Sequence, residues 1–180
     1  MPIKIKTELL CRVTLSPVKP SDARLIAKWK NDPTVNKYAL STSKRVSASS
    51  QYKDIEAALK DGEQYFIFRL KKTLKAIGYV RASWLDERKT LAWLRYAIGE
   101  GKYRGCGYSK EALLLLFDRL FRKKVRRIEA EVYEFNLPSI AILKKLGFQL
   151  EGRKHKAHYD NESRKYFDIL IFGLLAAGHR

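Results

Sequence analysis

The chain has 180 residues, 46% hydrophobic and 31% charged, which suits one folded domain with its own core. No apolar run approaches the ~20 residues of a membrane-spanning helix, and the amino-terminal segment lacks the apolar core of a signal peptide. Cys11 and Cys106 form neither a disulfide framework nor a metal-binding pattern. We therefore expect a single domain over residues 1–180, in the cytoplasm, with no membrane anchor and no metal.

Charge is the unusual bulk property. Lysine and arginine total 37 against 19 aspartate and glutamate, a formal net charge of +18. Such a surface attracts nucleic acids, anionic lipids, acidic proteins or polyphosphate ligands. The densest basic run, Arg119–Arg127, straddles a predicted helix end, where cations also complement the helix dipole. A nucleic-acid-binding module and a merely solvated basic surface both remain open at this point.

The first third of the chain predicts one short strand and two helices. In order, these are a strand at 13–15, a helix from about 21 to 30 and a short helix at 54–60. Asn31-Asp32-Pro33 ends the first helix, because the residue before proline is pushed out of the helical region. The polar segment Ser41–Ser50 is the nearest to a linker and is too short to divide domains.

The rest of the chain alternates between strands and helices. Strands are predicted at 64–70, 76–85, 90–98, 127–132, 148–156 and 165–174, and helices at 109–121 and 137–146. The longer helix is predicted from apolar residues at helical spacing, among them Leu113, Leu116 and Leu120. This order predicts an α/β (α+β) fold, a mixed sheet of about seven strands with helices on both faces.

The segment Lys102–Ser109, Lys-Tyr-Arg-Gly-Cys-Gly-Tyr-Ser, lies between a predicted strand and a predicted helix. Glycines there allow a tight turn and expose backbone N–H groups, and the helix start adds a positive dipole end. Lys102 or Arg104 would add charge, so the segment suits a pyrophosphate. It is neither a P-loop nor a dinucleotide fingerprint, and an ordinary turn is the alternative.

A second motif follows 29 residues after Gly107, in the segment Asn136–Phe148. Its distinctive residues are Asn136, Ser139, Lys145, Gly147 and Phe148. Together the two motifs resemble the GNAT superfamily of N-acetyltransferases. The glycine turn is similar to the RimJ/RimL-like branch, which acetylates the amino termini of ribosomal proteins. The stretches Trp29–Pro33 and Asp168–Leu175 agree with this resemblance.

The resemblance implies a mostly antiparallel GNAT-like sheet in which the fourth and fifth strands splay apart around acetyl-CoA. The backbone at 97–99 would bind the pantetheine arm, and the N–H groups from Arg104 to Ser109 would hold the pyrophosphate. The implied cofactor-binding residues are Ala97, Ile98, Gly99, Lys102, Arg104, Gly105, Cys106, Gly107, Tyr108, Ser109, Asn136 and Ser139.

Attack of an amine on a thioester needs a neutral amine, a donor to the oxyanion and a proton for the leaving thiolate. The resemblance places the oxyanion donor at the N–H of Ile98. Many family members carry a tyrosine seven residues after the asparagine, where this chain has Leu143. We therefore expect Ser139 to protonate the thiolate, with Asn136 beside it. Tyr108 and Tyr133 are weaker candidates.

The base is less well defined by the sequence. Related enzymes often carry a glutamate on the fourth strand, and the corresponding residue here is Trp93. Glu87 or Asp86 in the preceding hairpin is the candidate, with direct loss of the proton to water as the alternative. His155 and His158 face different ways on a strand, so they do not form a zinc pair; one of them lines the acceptor pocket or both lie on the sheet rim.

The sequence thus predicts transfer of an acetyl group from acetyl-CoA to a primary amine, on a protein amino terminus of the ribosomal type. A polyamine, an amino sugar or an aminoglycoside is the alternative acceptor. A basic nucleic-acid-binding or acyl-CoA-sensing protein without catalysis is the alternative from another class. The acceptor pocket would be built by the first helices and by loops at Ser41–Ser50 and Arg153–Ser163. The expected partners include nearby ribosomal RNA, and the protein would be a monomer or a homodimer.

Overall fold

The computed structural model describes residues 11–38, 45–161 and 163–176. Within these ranges the strands form one sheet of seven, in the order β1-β2-β3-β4-β5-β7-β6. The strands are β1 (Val13–Pro17), β2 (Gln64–Leu70), β3 (Ala76–Trp84), β4 (Leu91–Ile98), β5 (Arg127–Tyr133), β6 (Gln149–Asp160) and β7 (Lys165–Leu175). The helices are α1 (Ala23–Lys30), α2 (Pro33–Asn36), α3 (Ala48–Lys60), α4 (Tyr108–Arg122) and α5 (Leu137–Lys145).

Neighbouring strands are antiparallel except β4 and β5, which are parallel. This mostly antiparallel mixed sheet confirms the predicted fold class. No helix in the described ranges is both long and apolar enough to span a membrane.

The first helices differ most from their predicted bounds. Helix α3 begins at Ala48 rather than near Asp54, because the Ser47 side chain caps it by accepting from the Ser50 N–H at 3.0 Å. The short helix α2 was not predicted; it starts at Pro33, and Asp32 caps it through the Thr34 N–H. The end of α1 before Asp32 is confirmed. Residues 41–44 of the predicted linker lie outside the described residues.

Two apolar layers hold the helices to opposite faces of the sheet. Helix α4 buries Leu113, Leu116 and Leu120 completely against one face, together with Leu143 of α5. Helices α1 and α3 cover the other face, over β2 and β3, with Trp29 as the largest buried side chain. Burial of these side chains is the main stabilising term of each layer.

Because side chains alternate along a strand, β4 divides its residues between the two layers. Leu94, Tyr96 and Ile98 pack against the α4 layer. Trp93, Arg95 and Ala97 therefore lie on the face that carries α1 and α3.

The sheet opens between β4 and β5. These strands pair only from Leu91 to Trp93, opposite Arg127 to Glu129. Beyond that point β4 stays paired with β3 as far as Ile98, and β5 stays paired with β7 as far as Tyr133. A gap therefore separates the carboxyl-terminal halves of β4 and β5, which confirms the predicted splayed pair.

Candidate active site

One edge of the gap is the free backbone edge of β4. Successive residues of a strand turn their N–H groups to opposite edges. The Gly99 N–H donates to the Ile77 carbonyl of β3 at 3.0 Å, so the N–H groups of Ala97 and Gly99 face β3 and that of Ile98 faces the gap. Of the three backbone positions predicted to bind the pantetheine arm, Ile98 is the one whose N–H is directed there.

Gly99 is required for a different reason. A Cβ atom at this position would lie 2.0 Å from Cγ of Trp29. The missing side chain therefore allows α1 to pack directly on the end of β4. The Trp29 indole Nε1 also donates to Glu100 Oε1 at 3.1 Å, which fixes the same corner.

The turn between β4 and α4 exposes a row of backbone N–H groups. Gly105 and Gly107 adopt φ of +73° and +85°, which disfavour any residue with a Cβ. The N–H groups from Gly105 to Ser109 meet no acceptor within the described part of the chain. They surround the amino-terminal end of α4, whose dipole favours an anion. This geometry suits a pyrophosphate.

One part of the turn prediction is wrong. The Arg104 N–H donates to the Gly101 carbonyl at 3.1 Å, inside the short 3₁₀ turn Gly101–Tyr103, and so it is not available to a ligand. Lys102 is exposed, with Nζ 5.1 Å from the Tyr103 ring centroid. Its ammonium therefore stays next to the turn.

The Arg104 side chain links the turn to the other layer. Its Nη1 donates to Thr34 Oγ1 of α2 at 2.6 Å, and its Nε donates to the Ile98 carbonyl at 3.3 Å. Its Nη2 is buried and has no hydrogen-bond partner among the described residues. The Arg104 charge is therefore held at the border between the glycine turn and α2.

Arg12 fastens the glycine turn to the sheet. Its backbone N–H and Nε donate to Glu111 at 2.6 and 2.7 Å, and its Nη2 donates to the Cys106 carbonyl at 2.7 Å. The guanidinium also lies 4.4 Å from the Tyr108 ring centroid. Glu111 thus binds a specific partner in addition to its position near the helix start. Local sequence carries no signal for a contact between residues 99 positions apart.

A pair of hydroxyl groups links β4 to α5. Tyr96 Oη of β4 and Ser139 Oγ of α5 are 2.6 Å apart. Asn136 caps α5 by accepting from the Ser139 N–H at 3.3 Å. Burial raises the pKa of Tyr96 to about 12, so its phenol is protonated at neutral pH. The predicted residues Ser139 and Asn136 thus lie together, joined by Tyr96, which the sequence did not single out.

Leu143 is completely buried in the apolar core. The position that carries a tyrosine in many family members therefore serves packing in this chain. A hydroxyl is supplied instead from β4, on the opposite side of the gap.

An aromatic cluster begins at Tyr133, the last residue of β5. Tyr133 stacks on Phe135 at 5.1 Å between ring centroids and lies 4.1 Å from the His158 ring. Phe135 also contacts Phe167 at 4.8 Å and reaches Tyr38, beyond α2, at 6.2 Å. These five side chains, Tyr38, Tyr133, Phe135, His158 and Phe167, form an aromatic wall that joins the α1–α2 region to β5, β6 and β7. His155 lies apart from them, exposed, with Nδ1 3.2 Å from Asp168 Oδ2.

The structure does not bring the predicted base Glu87 to this site. Glu87 is exposed in the β3–β4 hairpin, at the opposite end of β4 from Ile98. The length of β4 separates them by about 20 Å. Asp86 accepts from the Thr90 and Leu91 N–H groups at 2.9 and 2.7 Å, which explains it as a turn residue.

Comparison with known proteins agrees with this geometry. Residues 12–149 match the family described as "Acetyltransferase (GNAT) domain". An uncharacterized N-acetyltransferase p20 from Bacillus licheniformis is 30% identical over 170 residues, which cover 91% of this chain and 93% of that relative.

Solved structures of other acetyltransferases share the fold. The ribosomal-protein-S5-alanine acetyltransferase from Vibrio fischeri superposes with a TM-score of 0.78 at 21% identity, covering 94% of this chain and 96% of that one. The spermidine N-acetyltransferase from Vibrio cholerae, in complex with CoA and spermine, gives a TM-score of 0.82 at 18% identity, covering 93% and 98%.

The chain belongs to the GNAT family of acetyltransferases. It is an acetyl-CoA-dependent N-acetyltransferase, and acetyl-CoA is its cosubstrate.

Proposed function

We propose that this protein acetylates the amino-terminal amine of a protein, of the ribosomal type, in the cytoplasm and close to ribosomal RNA. The observation that carries the proposal is the gap between β4 and β5, which has a different environment on each side. The glycine turn follows the end of β4, the aromatic wall includes Tyr133 at the end of β5, and the hydroxyl pair joins β4 to α5. The RimJ/RimL-like sequence of the glycine turn and the net charge of +18 support the acceptor class.

The charges near the gap favour this acceptor over a polyamine. Lys30, Lys37 and Arg104 lie on or beside helices α1 and α2. Arg95 of β4 lies on the face of the sheet that carries α1 and α3. A polycation such as spermidine would meet this positive field unfavourably. An amino terminus carries one positive charge and loses it before reaction. The amino-sugar and aminoglycoside alternatives share the disadvantage of a polyamine when they carry several amines.

The oxyanion donor and the proton source for the thiolate each have a residue in this scheme. The Ile98 N–H donates to the oxyanion as the amine nitrogen attacks the thioester carbonyl carbon. A C–N bond forms, the C–S bond breaks, and the attacking nitrogen releases its extra proton to water. The thiolate takes a proton from Ser139 Oγ, which takes one in turn from the Tyr96 phenol 2.6 Å away, and a proton from water then restores the phenol.

The amine loses its proton to water before attack. The aromatic wall disfavours the charged ammonium through desolvation, so the neutral amine binds more readily there than in bulk water. No carboxylate is assigned as base in this scheme, and Glu87 is left out of it because of its distance from Ile98.

The test is a competition between acceptors under one set of conditions. Acetyl-CoA is offered with a panel of unstructured peptides that carry free amino termini, with spermidine and with a monoamino sugar, and products are measured by mass spectrometry. We expect acetylation at peptide amino termini, lost in peptides with blocked termini. Faster acetylation of spermidine than of every peptide would contradict the proposed acceptor class.

A further inference from the structure

A row of polar side chains crosses the sheet beneath α1 and α3. Tyr65 of β2 is opposite Arg81 of β3, and Arg81 is opposite Arg95 of β4. Two like charges directly opposite each other on neighbouring strands are destabilising unless other groups balance them. The balance differs between the two arginines.

Arg81 is fully balanced. Its side chain is 8% exposed and is bound by two carboxylates, Asp54 of α3 at 2.8 Å and Glu63. Ser83 Oγ donates to the same Glu63 carboxylate at 2.9 Å. Arg81 therefore holds α3 and the start of β2 together, which accounts for both acids.

Arg95 is not balanced. Its Nη2 donates to the neutral Ser83 Oγ, and no carboxylate in the described ranges lies within 4.0 Å of its guanidinium. Its Nε is buried and has no hydrogen-bond partner in the part of the chain that the structure describes. Burial, followed by the charge of Arg81, lowers the pKa of Arg95 from its ordinary value. Among the described residues, the protein thus keeps a partly buried guanidinium, 4.8 Å from the Trp93 ring centroid, without a directly paired carboxylate.

The surroundings of Arg95 contain further groups with unused hydrogen-bonding capacity. Lys30 is 27% exposed and lies 3.8 Å from Asp54 Oδ2, a carboxylate that already binds Arg81. The hydroxyl of Tyr65, a residue 2% exposed, has no hydrogen-bond partner among the described residues. The three cations of this cluster thus share two carboxylates, and one positive charge is left over.

The position of Arg95 connects it to the reaction site. β4 is the strand that borders the gap, and Arg95 lies three residues before Ile98 on the face that carries α1 and α3. Three residues of strand correspond to about 10 Å. An extended peptide with its amine at the thioester brings the side chain of its second or third residue to that distance.

We infer that Arg95, assisted by Lys30, binds a carboxylate of the amine acceptor, so that the preferred substrates are amines that carry an acidic group a few bonds from the amine. The inference rests on the proposed function and names the substrate class of the same site. A planar guanidinium is the group best suited to bind a carboxylate in two-pronged fashion. The carboxylate belongs either to an acidic residue at the second or third position of a peptide or to a free amino acid.

The test compares acceptors that differ only in charge. Peptides that begin Ala-Glu and Ala-Gln, with otherwise identical neutral sequences and amidated carboxyl termini, are acetylated in parallel with free glutamate and free glutamine. We expect kcat/KM about 10- to 100-fold higher for the Ala-Glu peptide, mainly through KM, as expected for one charge-assisted hydrogen bond. The free pair shows whether a small molecule satisfies the site as well.

Two variants assign the preference to Arg95. In Arg95→Gln the ratio between the two peptides should fall close to one, whereas Arg95→Lys, which keeps the charge, should retain part of it. Arg69→Gln is the matched control, because Arg69 is a partly exposed arginine on β2, two strands away. It should keep the wild-type ratio.

The outcomes separate this inference from the proposed function. Equal acetylation of the charged and neutral peptides by the wild type would overturn the acidic preference and leave the acetyltransferase intact. If acetyl-CoA binds and no amine is acetylated, the proposed acceptor class fails. In that case, binding of the two peptides is measured by NMR titration. Tighter binding of the Ala-Glu peptide that Arg95→Gln abolishes would support the inference, and equal binding of both peptides would overturn it.

Discussion

The two sides of strand β4 are built on different principles. The side that we propose to hold acetyl-CoA consists of backbone groups: the Ile98 N–H at the free strand edge and the N–H row from Gly105 to Ser109 at the start of α4. The proposed acceptor side consists of side chains that come from five or more elements, such as Arg95, Tyr38 and His158. A backbone site depends on local conformation, whereas a side-chain site depends on which residues the whole fold brings together. This difference explains why the sequence predicted the first group by group, whereas it predicted the second only as a region and a candidate histidine.

The largest effect on the proposed acetyl-CoA site is expected from Gly107→Trp. The substitution places a large side chain at φ +85° in the N–H row, so several charge-assisted hydrogen bonds to the pyrophosphate should be lost. We expect acetyl-CoA affinity to fall by about 1,000-fold, since each such bond contributes about 1.5–3 kcal/mol. Calorimetric titration measures it.

Gly101→Ala is the control for that experiment. A Cβ at Gly101 would meet no atom of the described residues within 4 Å, and the φ of Gly101 is not in the left-handed region. Affinity should stay within a few-fold of the wild type. Tight binding by a folded Gly107→Trp variant would show that the pyrophosphate lies elsewhere.

On the acceptor side, substitution of Arg81 should lower the stability of the folded protein. Arg81→Leu leaves Asp54 and Glu63 without their buried partner, which should lower the free energy of unfolding by about 3 kcal/mol. Urea denaturation measures the change. In Arg122→Ala, which removes an arginine 69% exposed and paired with Asp118, the loss should be below about 0.5 kcal/mol. Equal losses in the two variants would show that the Arg81 cluster is not a structural lock.

The hydroxyl pair lies between the two sides, and its removal should affect turnover alone. Tyr96→Phe and Ser139→Ala should each lower kcat by about 100-fold, and the double variant should lose little more, because the two groups act as one relay. The KM for acetyl-CoA should change little. Steady-state kinetics checks this, with Tyr159→Phe, an exposed tyrosine on β6, as control. A multiplicative loss in the double variant would contradict the relay.

The pH dependence of kcat also tests the role of Tyr96. With its pKa raised to about 12, the Tyr96 phenol keeps its proton through the alkaline range in which an ordinary tyrosine, near pH 10, would lose it. We therefore expect no loss of kcat with an apparent pKa near 10. An alkaline limb at that pH, absent in Tyr96→Phe, would mean that the phenol is exposed to water during turnover.

The smallest predicted effect concerns acid stability on the acceptor side. Burial alone would raise the pKa of Asp54, but hydrogen bonding and charge from Arg81, with Lys30, hold it below its usual range. Stability from this pairing is therefore fully present above the unfolded pKa of about 4 and is lost as pH falls through the lower folded value. Urea midpoints measured downward from about pH 5 should fall more steeply for the wild type than for Arg81→Leu. Parallel curves would contradict the pairing.

The order of elements and the glycine turn were predicted because they depend on periodicity and on residues close in sequence. Helix α2 and the first turns of α3 were missed because they rest on capping side chains, Asp32 and Ser47, in polar stretches without an apolar period. Tyr96 was missed because its alternation in β4 marks it as core, and its partner Ser139 is 43 residues away.

Glu87, in contrast, was predicted for the site and lies far from Ile98. A charged hairpin beside a strand that should carry a base is a reasonable candidate until the strand length is known. The hairpin lies at the far end of β4 from Ile98, so its distance from the reaction follows from the direction of the strand. Proximity in sequence was a poor guide to proximity in the site.

The most direct test of the central claim, that backbone N–H groups at the gap hold acetyl-CoA, is a ¹H–¹⁵N correlation spectrum of the protein titrated with acetyl-CoA. We predict the largest shifts at the amides of Gly105 to Ser109 and at Ile98, with little change at the hairpin residues Glu87 to Lys89. Large shifts at the hairpin, with the Gly105–Ser109 amides unchanged, would contradict the account.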